Sequence, residues 1–379
     1  MRWPLHAVET VRPSRFMAPF CPWPECVGHR KPGRGFQRYG WYRTLSSPRR
    51  IPRFKCRDCK RSCSRQTFST TYYLKRPALL IPVASGLAAC SAHRQIARSN
   101  HCAKTSVTRM AERLGRHAIL FHARCRKHLP ALKESVVHDH FEVFVGRQDQ
   151  ALGIGTAVGS ESWLVYDVDP APHRGSGRRP DRKPNQKKAS TPSRPYVRSI
   201  ARTFQGLTSH LSVGETLTSI VDGRVDYKTA LRESGLEARV ILRSYPNPKR
   251  GPKGSPRSPE AKARDHAMFP VDQLHQLLRH SCSDHKRETI AFGRRLESIL
   301  GRAHLLAVWK NFIKSRSERR PDRTTPAMRL GLTDTRWRFE RLLFQRLFPG
   351  RERMTEVAAK IYRKSWTRHL PELALRHAA

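Results

Sequence analysis

The middle of the chain alternates apolar and polar positions in a way that predicts β-strands. The segment 136–145, VVHDHFEVFV, is rich in β-branched and aromatic residues and alternates as a half-buried strand does. A small apolar run at 151–158 and a bulkier one at 162–168 follow, separated by Gly and polar residues. The economical interpretation is a three-stranded antiparallel meander, with Asp139 projecting from its first strand.

Before the meander the spacing of apolar residues becomes helical. Residues 91–98 favour a short helix, 99–104 a turn, and 105–117 a second helix with one apolar face. This outline is typical of a helix-turn-helix, whose second helix enters the major groove of DNA. Arg109 and Arg113 would lie on or near the exposed side of that helix. An ordinary helical hairpin has the same outline and stays an alternative.

Beyond the meander, short strands alternate with helices, and one strand ends on an acid. Residues 196–208 have helical spacing, and a strand is expected at 217–221 that ends at Asp222 beside a turn. Asp226, four residues further on, is interpreted as a charge at the start of a helix.

A further acid belongs to a predicted helix. A short strand is expected at 240–243, followed by a basic, proline-rich loop and then by a helix over 268–280. This helix would carry Pro270 in its first turn and Asp272 near its start. The remainder of the chain is predicted to be helical and basic, with no chemistry assigned to it.

Two close cysteine pairs lie near the start of the chain. Four residues separate Cys21 from Cys26, two separate Cys56 from Cys59, and 29 residues lie between the pairs. Pairs of this kind bring four thiolates around a zinc ion, so they predict a structural zinc ribbon. The alternative is that one pair has lost its geometry and the cysteines are free thiols. Cys63 is expected to occupy an apolar position instead of binding metal.

The charge of the chain implies a polyanionic partner. Lys and Arg number 74 against 30 Asp and Glu among 379 residues, a formal net charge of +44. Nucleic acid is the first candidate, because no apolar run is long enough to span a membrane. The start, MRWP, has no apolar signal core, which predicts a cytoplasmic protein in which cysteines are thiols or metal ligands. Cations interleaved with aromatics around Arg38 suit phosphate contact and base stacking.

The segment that follows Cys56 carries a family resemblance. CRDCKRSCSRQTFSTTYYLKRP, from Cys56 to Pro77, resembles the zinc-ribbon end of bacterial insertion-sequence transposases, and KRETIAF at 286–292 resembles a later stretch of the same families. Cys63 stands where Phe is usual. The resemblance implies an α+β multidomain protein with a zinc ribbon at 1–78, a helix-turn-helix at 79–130, a ribonuclease-H-like domain at 131–315 with basic loops at 171–195 and 245–265, and a basic helical region at 316–379.

The same resemblance implies a function. A protein of this kind binds the double-stranded DNA of its element ends and target, cuts by metal-dependent hydrolysis and transfers the freed strand, as a homodimer or larger assembly in the bacterial cytoplasm at the nucleoid. It implies catalytic acids Asp139, Asp222 and Asp272 that bind Mg²⁺ or Mn²⁺, zinc ligands Cys21, Cys26, Cys56 and Cys59, and DNA contacts at Arg38, Arg65, Arg109 and Arg113.

Several alternatives stay open. Asp272 is favoured over Glu288 as the third acid by counting back from 286–292, although Glu is the usual residue there. Asp149, Asp167 and Asp169 are interpreted as loop and strand-end charges. A non-catalytic zinc-ribbon DNA-binding protein, either a regulator or a decayed transposase, is the competing class. An RNA-binding protein is a third, because net charge does not distinguish the two nucleic acids.

Overall fold

The structure is a computed structural model, and it combines helices with two β-sheets in a mixed α+β fold. Glu288 and most of the basic loop expected at 171–195 lie outside the described residues. The described residues are 16–31, 35–45, 47–173, 192–248, 252, 255–286, 289–317, 322–344 and 346–366, without the side chains of 47–49.

The N-terminal sheet is small and antiparallel. After the single-turn helix α1 (Val27–Arg30), the strands pair in the order β1-β2-β3. Phenylalanine rings bury one side of this unit, and one of them, Phe348, comes from near the end of the chain. The C-terminal segment therefore completes the N-terminal core. The strands are β1 (Phe36–Thr44), β2 (Ser47–Cys56) and β3 (Ser62–Ser64).

Three helices follow: α2 (Leu80–Ala88), α3 (His93–Ser99) and α4 (Lys104–Lys127). The short helix, turn and long helix expected from the sequence are confirmed, but the expected end of the long helix at residue 117 is wrong. Buried Ala118, Phe121 and Cys125 continue the apolar face at helical spacing. This face packs against helix α8 (Leu296–Phe312), which lies far away in sequence.

The larger sheet has the order β6-β5-β4-β7-β8. The first three strands along the chain pair antiparallel, so the predicted meander is confirmed. The last two join in parallel, β7 beside β4 and β8 beside β7. The strands are β4 (Val136–Val145), β5 (Arg147–Gly159), β6 (Val165–Pro172), β7 (Leu217–Val221) and β8 (Val240–Ser244).

Helices cover both faces of this sheet. Val136 belongs to the core shared with α5 (Arg194–Thr208) and α6 (Val225–Ser234), and its neighbour Val137 to the core shared with α8 and helix α7 (Pro259–Ser281). Successive side chains of a strand point to opposite faces, so Asp139 lies on the same side as Val137 and faces α7.

Helix α7 begins earlier than the sequence suggested. Ser258 caps it by accepting from the Ala261 backbone N–H at 3.2 Å, and Pro259 occupies its first position. The predictions that Pro270 lies in the first turn and Asp272 near the start are therefore wrong, because both lie well inside the helix. The cap lies within the basic stretch that was expected to be loop as far as residue 265.

The C-terminal part packs onto the rest of the molecule. It contains α9 (Pro326–Arg329), α10 (Phe339–Leu342) and α11 (Glu356–Arg363), and its Trp337 is buried with residues of α4 and α8. One hydrophobic core thus crosses the boundaries expected near 130 and 315. Among the described helices, none combines the length and apolarity that crossing a membrane requires.

Candidate active site and metal centre

Two acids lie at the same level on neighbouring parallel strands. Strands β4 and β7 pair Val136 with Ser219 and Val137 with Ile220. Two residues beyond these pairs, the chain reaches Asp139 on β4 and Asp222 just after β7. Because side chains repeat their direction every second residue, both carboxylates belong to the face covered by α7.

Helix α7 brings a third acid and a histidine to this place. His275 Nδ1 lies 3.8 Å from Asp139 Oδ2, and His275 Nε2 lies 2.8 Å from the Thr156 hydroxyl, which sits opposite Asp139 on β5. The ligand atoms of Asp139, Asp272 and His275 all lie within 4.8 Å of one another. Residues three apart share a helix face, so the D-x-x-H spacing was the one sequence signal for His275.

Burial and mutual repulsion govern the charge of this acidic site. Burial, together with the carboxylates of Asp222 and Asp272, raises the pKa of Asp139 to about 7. Burial also raises the pKa of Asp222, although the backbone N–H of Arg224 opposes that effect. The guanidinium of Arg264, from the first half of α7, forms an ion pair with Asp272. Arg264 thus offsets part of the negative charge that gathers at the site, and Arg224 does so at Asp222.

The other acids considered from the sequence have different partners. Asp149 is exposed and pairs with Arg147 at 3.2 Å. Asp167 is buried and forms an ion pair with Arg126 at 2.9 Å, and Asp169 is buried and forms an ion pair with Arg202. Asp167 and Asp169 lie inside β6 and are buried, so the expectation that they are loop or strand-end charges is wrong for these two. None of the three aspartates belongs to the cluster of Asp139, Asp272 and His275 found among the described residues.

Carboxylate oxygens gathered from separate elements are the ligands that hard divalent cations take. Asp139 and Asp272, with His275 beside them, could hold such an ion, and Asp222 lies on the adjacent strand. Imidazole is a softer ligand that Mn²⁺ accepts more readily than Mg²⁺. A cation here would stabilise the ionised carboxylates that burial disfavours.

The four cysteines of the N-terminal pairs come together at one point. Cys21 Sγ lies 3.6 Å from Cys59 Sγ, and Cys26 Sγ lies 3.8 Å from Cys56 Sγ. A tetrahedron with Zn–S bonds of about 2.3 Å has edges of about 3.8 Å, so the spacing suits one ion. The four thiols, three of them buried, could therefore hold a metal ion.

Neighbouring groups change the thiol pKa values of this cysteine cluster and support its loop, but they are not part of the cluster. Burial raises the pKa of Cys21, while the backbone N–H groups of Cys59 and Asp58 outweigh burial and lower the pKa of Cys56. His29 Nδ1 lies 2.7 Å from the Cys21 carbonyl, so this ring supports the loop. Cys63 packs with the phenylalanine rings of the N-terminal core, as expected for an apolar position.

The arginines considered for DNA contact differ in their surroundings. Arg38 on β1 and Arg109 on α4 are exposed. Arg65 lies with its guanidinium 5.9 Å from the ring of Phe16. Arg113 is half-buried and donates to the Thr70 carbonyl at 2.9 Å, which ties α4 to the N-terminal unit.

The sequence matches no known family model and no curated protein. The function of the chain must therefore be inferred from its side chains, from the distances between them and from their charges.

Proposed function

We propose that this chain is a DDE-type DNA transposase with a zinc ribbon, a helix-turn-helix and a ribonuclease-H-like catalytic domain. The observation that carries the proposal is that Asp139 of β4 and Asp272 of α7 meet, with Asp222 at the end of the adjacent strand β7 close enough to raise the pKa of Asp139. An antiparallel meander that continues into parallel strands resembles the ribonuclease-H-like fold, in which such acids meet.

The acids of this site would hold Mg²⁺ or Mn²⁺. Bound there, such ions activate a water molecule and stabilise the leaving oxygen of a phosphodiester. His275 would keep its ring in one orientation through the Thr156 hydroxyl, against the carboxylate of Asp139. Arg264 would balance the charge of Asp272 while the site is empty of substrate and would be free to contact a DNA phosphate afterwards.

The remaining parts would bind DNA and hold the fold. Zinc at Cys21, Cys26, Cys56 and Cys59 would stabilise the ribbon. Arg38, Arg65 and Arg109 would contact the backbone of double-stranded DNA, as the net charge of +44 favours. Cutting and joining two element ends calls for a dimer or larger assembly, working at the nucleoid in a bacterial cytoplasm.

A second candidate is a DNA-binding protein that does not cut. The ion pair between Arg264 and Asp272 favours it, because the guanidinium engages a carboxylate that a catalytic cation needs. Asp272 is also one methylene shorter than the glutamate usual at this position. In this alternative the zinc ribbon and the helix-turn-helix retain their roles and the acidic site is a remnant.

Cleavage of the DNA that flanks the gene tests the proposal. With the full chain and Mg²⁺ or Mn²⁺, we expect cuts at the tips of paired inverted repeats. Asp139→Asn should lower the rate by about 100-fold or more, the order seen when one charge-stabilising group is lost. Asp149→Asn is the matched control, because that carboxylate lies in an exposed pair outside the site.

Each result separates the candidates. Equal cleavage by wild type and Asp139→Asn would refute the assignment of the acidic site. Tight binding of the repeat tips by the wild type without any cut would favour the non-catalytic protein.

A further inference from the structure

A cavity lies beside the acidic site, on the neighbouring side of the same helix. Asp272 and His275 of α7 point to the acids, whereas Gln273, Gln276 and His280 line the cavity. At 100° per residue the centres of these two sets lie about a quarter turn apart around the helix, and Gln276 is the cavity residue closest to the side that carries the acids. The cavity measures about 410 Å³, which suits a nucleotide-sized group better than a single ion.

A buried lysine forms the base of this cavity. Lys310 of α8 is only 4% exposed, and its Nζ donates to the Trp163 carbonyl at 2.6 Å. An ammonium group has three donors, and in the described part of the chain no carboxylate pairs with this one. A lysine this deeply buried is normally paired with an acid, so an anion is the ligand that this ammonium would bind.

The walls add positive charge instead of removing it. Lys314 and Arg316 line the same cavity. Burial, together with the charges of Lys314 and Arg316, lowers the pKa of Lys310 to about 7. An anion that entered the cavity would reverse both effects, because it would pair with the ammonium and screen it from the other cations.

The position of Lys310 is held by the surrounding fold. Trp163 has a left-handed backbone, with φ of 62°, which suits the turn between β5 and β6 that carries the accepting carbonyl. The adjacent Asn311 accepts from the Val165 N–H at 2.9 Å and donates to the Val165 carbonyl at 3.0 Å. The side of the cavity that carries Lys310 is thus held by hydrogen bonds between helix α8 and the turn and strand beside it.

We propose that the Lys310 pocket, lined by Trp163, Gln276, His280, Lys310, Lys314 and Arg316, binds a backbone phosphate of the DNA strand whose neighbouring phosphodiester lies at the acidic site. This inference rests on the proposed function. Lys310 would contribute the charge and the free N–H donors, and Lys314 and Arg316 would contact the same or the next phosphate at the rim. The pocket would thereby fix which phosphodiester reaches the acids.

The test compares two methionine substitutions in the full chain. Lys310→Met removes the buried ammonium and keeps the length of the side chain. Lys360→Met is the control, because Lys360 is exposed and already pairs with Glu356 at 2.6 Å. Equilibrium binding to a duplex containing an element end is measured over a range of salt concentrations without divalent cations, together with thermal unfolding.

Lys310→Met should bind the duplex about 3- to 10-fold more weakly than the wild type, with a salt slope lower by about one. Lys360→Met should bind as the wild type does.

Other outcomes point elsewhere. If the wild type and Lys310→Met bind DNA alike, the inference fails while the proposed function stands. If the wild type does not bind DNA at all, the proposed function fails. The pocket is then tested by thermal unfolding with and without inorganic phosphate. A larger rise of the unfolding midpoint with phosphate in the wild type than in Lys310→Met supports an anion site, and an equal rise overturns it. Should Lys310→Met fail to fold, Lys314→Gln at the rim is measured in its place, with the same expected weakening.

Discussion

At the scale of single residues, His275 connects the acidic site to the sheet. Its two ring nitrogens reach different partners, Asp139 at 3.8 Å and the Thr156 hydroxyl at 2.8 Å. Burial lowers the pKa of His275 to about 3, so the ring is neutral at physiological pH. A neutral ring held at one nitrogen can offer the other as a ligand or as a hydrogen-bond partner.

We expect His275→Ala to lower metal-dependent cleavage by about 10- to 100-fold, the effect typical of losing a group that orients a metal ligand. The Mn²⁺ concentration for half-maximal rate should rise, while DNA affinity in the absence of metal should stay within about twofold. His173→Gln is the control, because that ring lies 3.5 Å from Glu142, outside the acidic site. An unchanged Mn²⁺ requirement in His275→Ala would refute the role.

The cysteine cluster gives a second prediction at this scale. The purified chain should contain about one zinc per molecule, and Cys56→Ser should lose it, because three thiolates hold the ion less firmly than four. The buried Cys63 lies nearby but outside the cluster, so Cys63→Ser should keep the metal. Elemental analysis of the three proteins decides. Zinc retained in Cys56→Ser would contradict the site.

At the scale of elements, the crossing of α4 and α8 joins the two cores that lie on opposite faces of the larger sheet. Gly115 and Gly301 meet there, and a Cβ on Gly115 would lie 2.9 Å from the Gly301 Cα. Two glycines thus permit a closer approach than any side chain would allow. Trp337 and Phe312 pack against α4 beside this crossing through Phe121.

Gly115→Ala should therefore destabilise the protein by about 1–3 kcal/mol, because the added methyl group meets backbone that cannot rotate away. Gly206→Ala in α5 is the matched control. Its Cβ would meet only the end of the Arg126 side chain, at the terminal nitrogen that does not bond Asp167, so this end can shift and we expect a smaller loss than for Gly115→Ala. Urea denaturation measures both values. If Gly115→Ala and the wild type have equal free energies of unfolding, the two helices can move apart at this crossing without loss of stability, which would contradict the prediction.

At the scale of the whole molecule, many titratable groups are buried in an unusual charge state. Burial lowers the pKa of His117 and His138 to about 4, and it also lowers the pKa values of His122, His140 and His304. In the opposite direction, burial raises the pKa of Asp169 to about 6, as it does for Asp139. The histidines are neutral in the fold and the unfolded chain protonates them below pH 6.5.

The sign of the pH dependence follows from these shifts. A histidine whose folded pKa is lowered costs stability as pH falls from its unfolded pKa of 6.5 toward its folded pKa, by about 1.4 kcal/mol per pH unit. The acids with raised pKa values, among them Asp139, Asp169 and Asp222, bind protons in the fold over part of that range and offset some of the loss. The histidines are more numerous, so the urea midpoint should fall between pH 7 and pH 5. His304→Gln should lessen that fall, and a midpoint independent of pH would contradict the buried neutral rings.

The sequence by itself determined the features that depend on local spacing. Period-two alternation predicted the meander, close cysteine pairs predicted the cluster, and helical spacing predicted α3 and α5. The strands that lead to Asp139 and Asp222 have patterns that are readable over a few residues, but the family resemblance is what singled out these two acids. The net charge also needed no structure, since it is a sum over the chain.

Only the tertiary structure decided which side chains meet across the fold. The start of α7 was missed because its cap lies in a proline-rich basic stretch that reads as a loop, and the position of Asp272 within the helix followed from it. The partners of His275, Arg264 and Lys310 depend on which groups α7 and α8 face. Those groups in turn depend on how the two helices cross the sheet. Spacing along one element indicates a face, but the partner of that face is chosen by packing between elements distant in sequence.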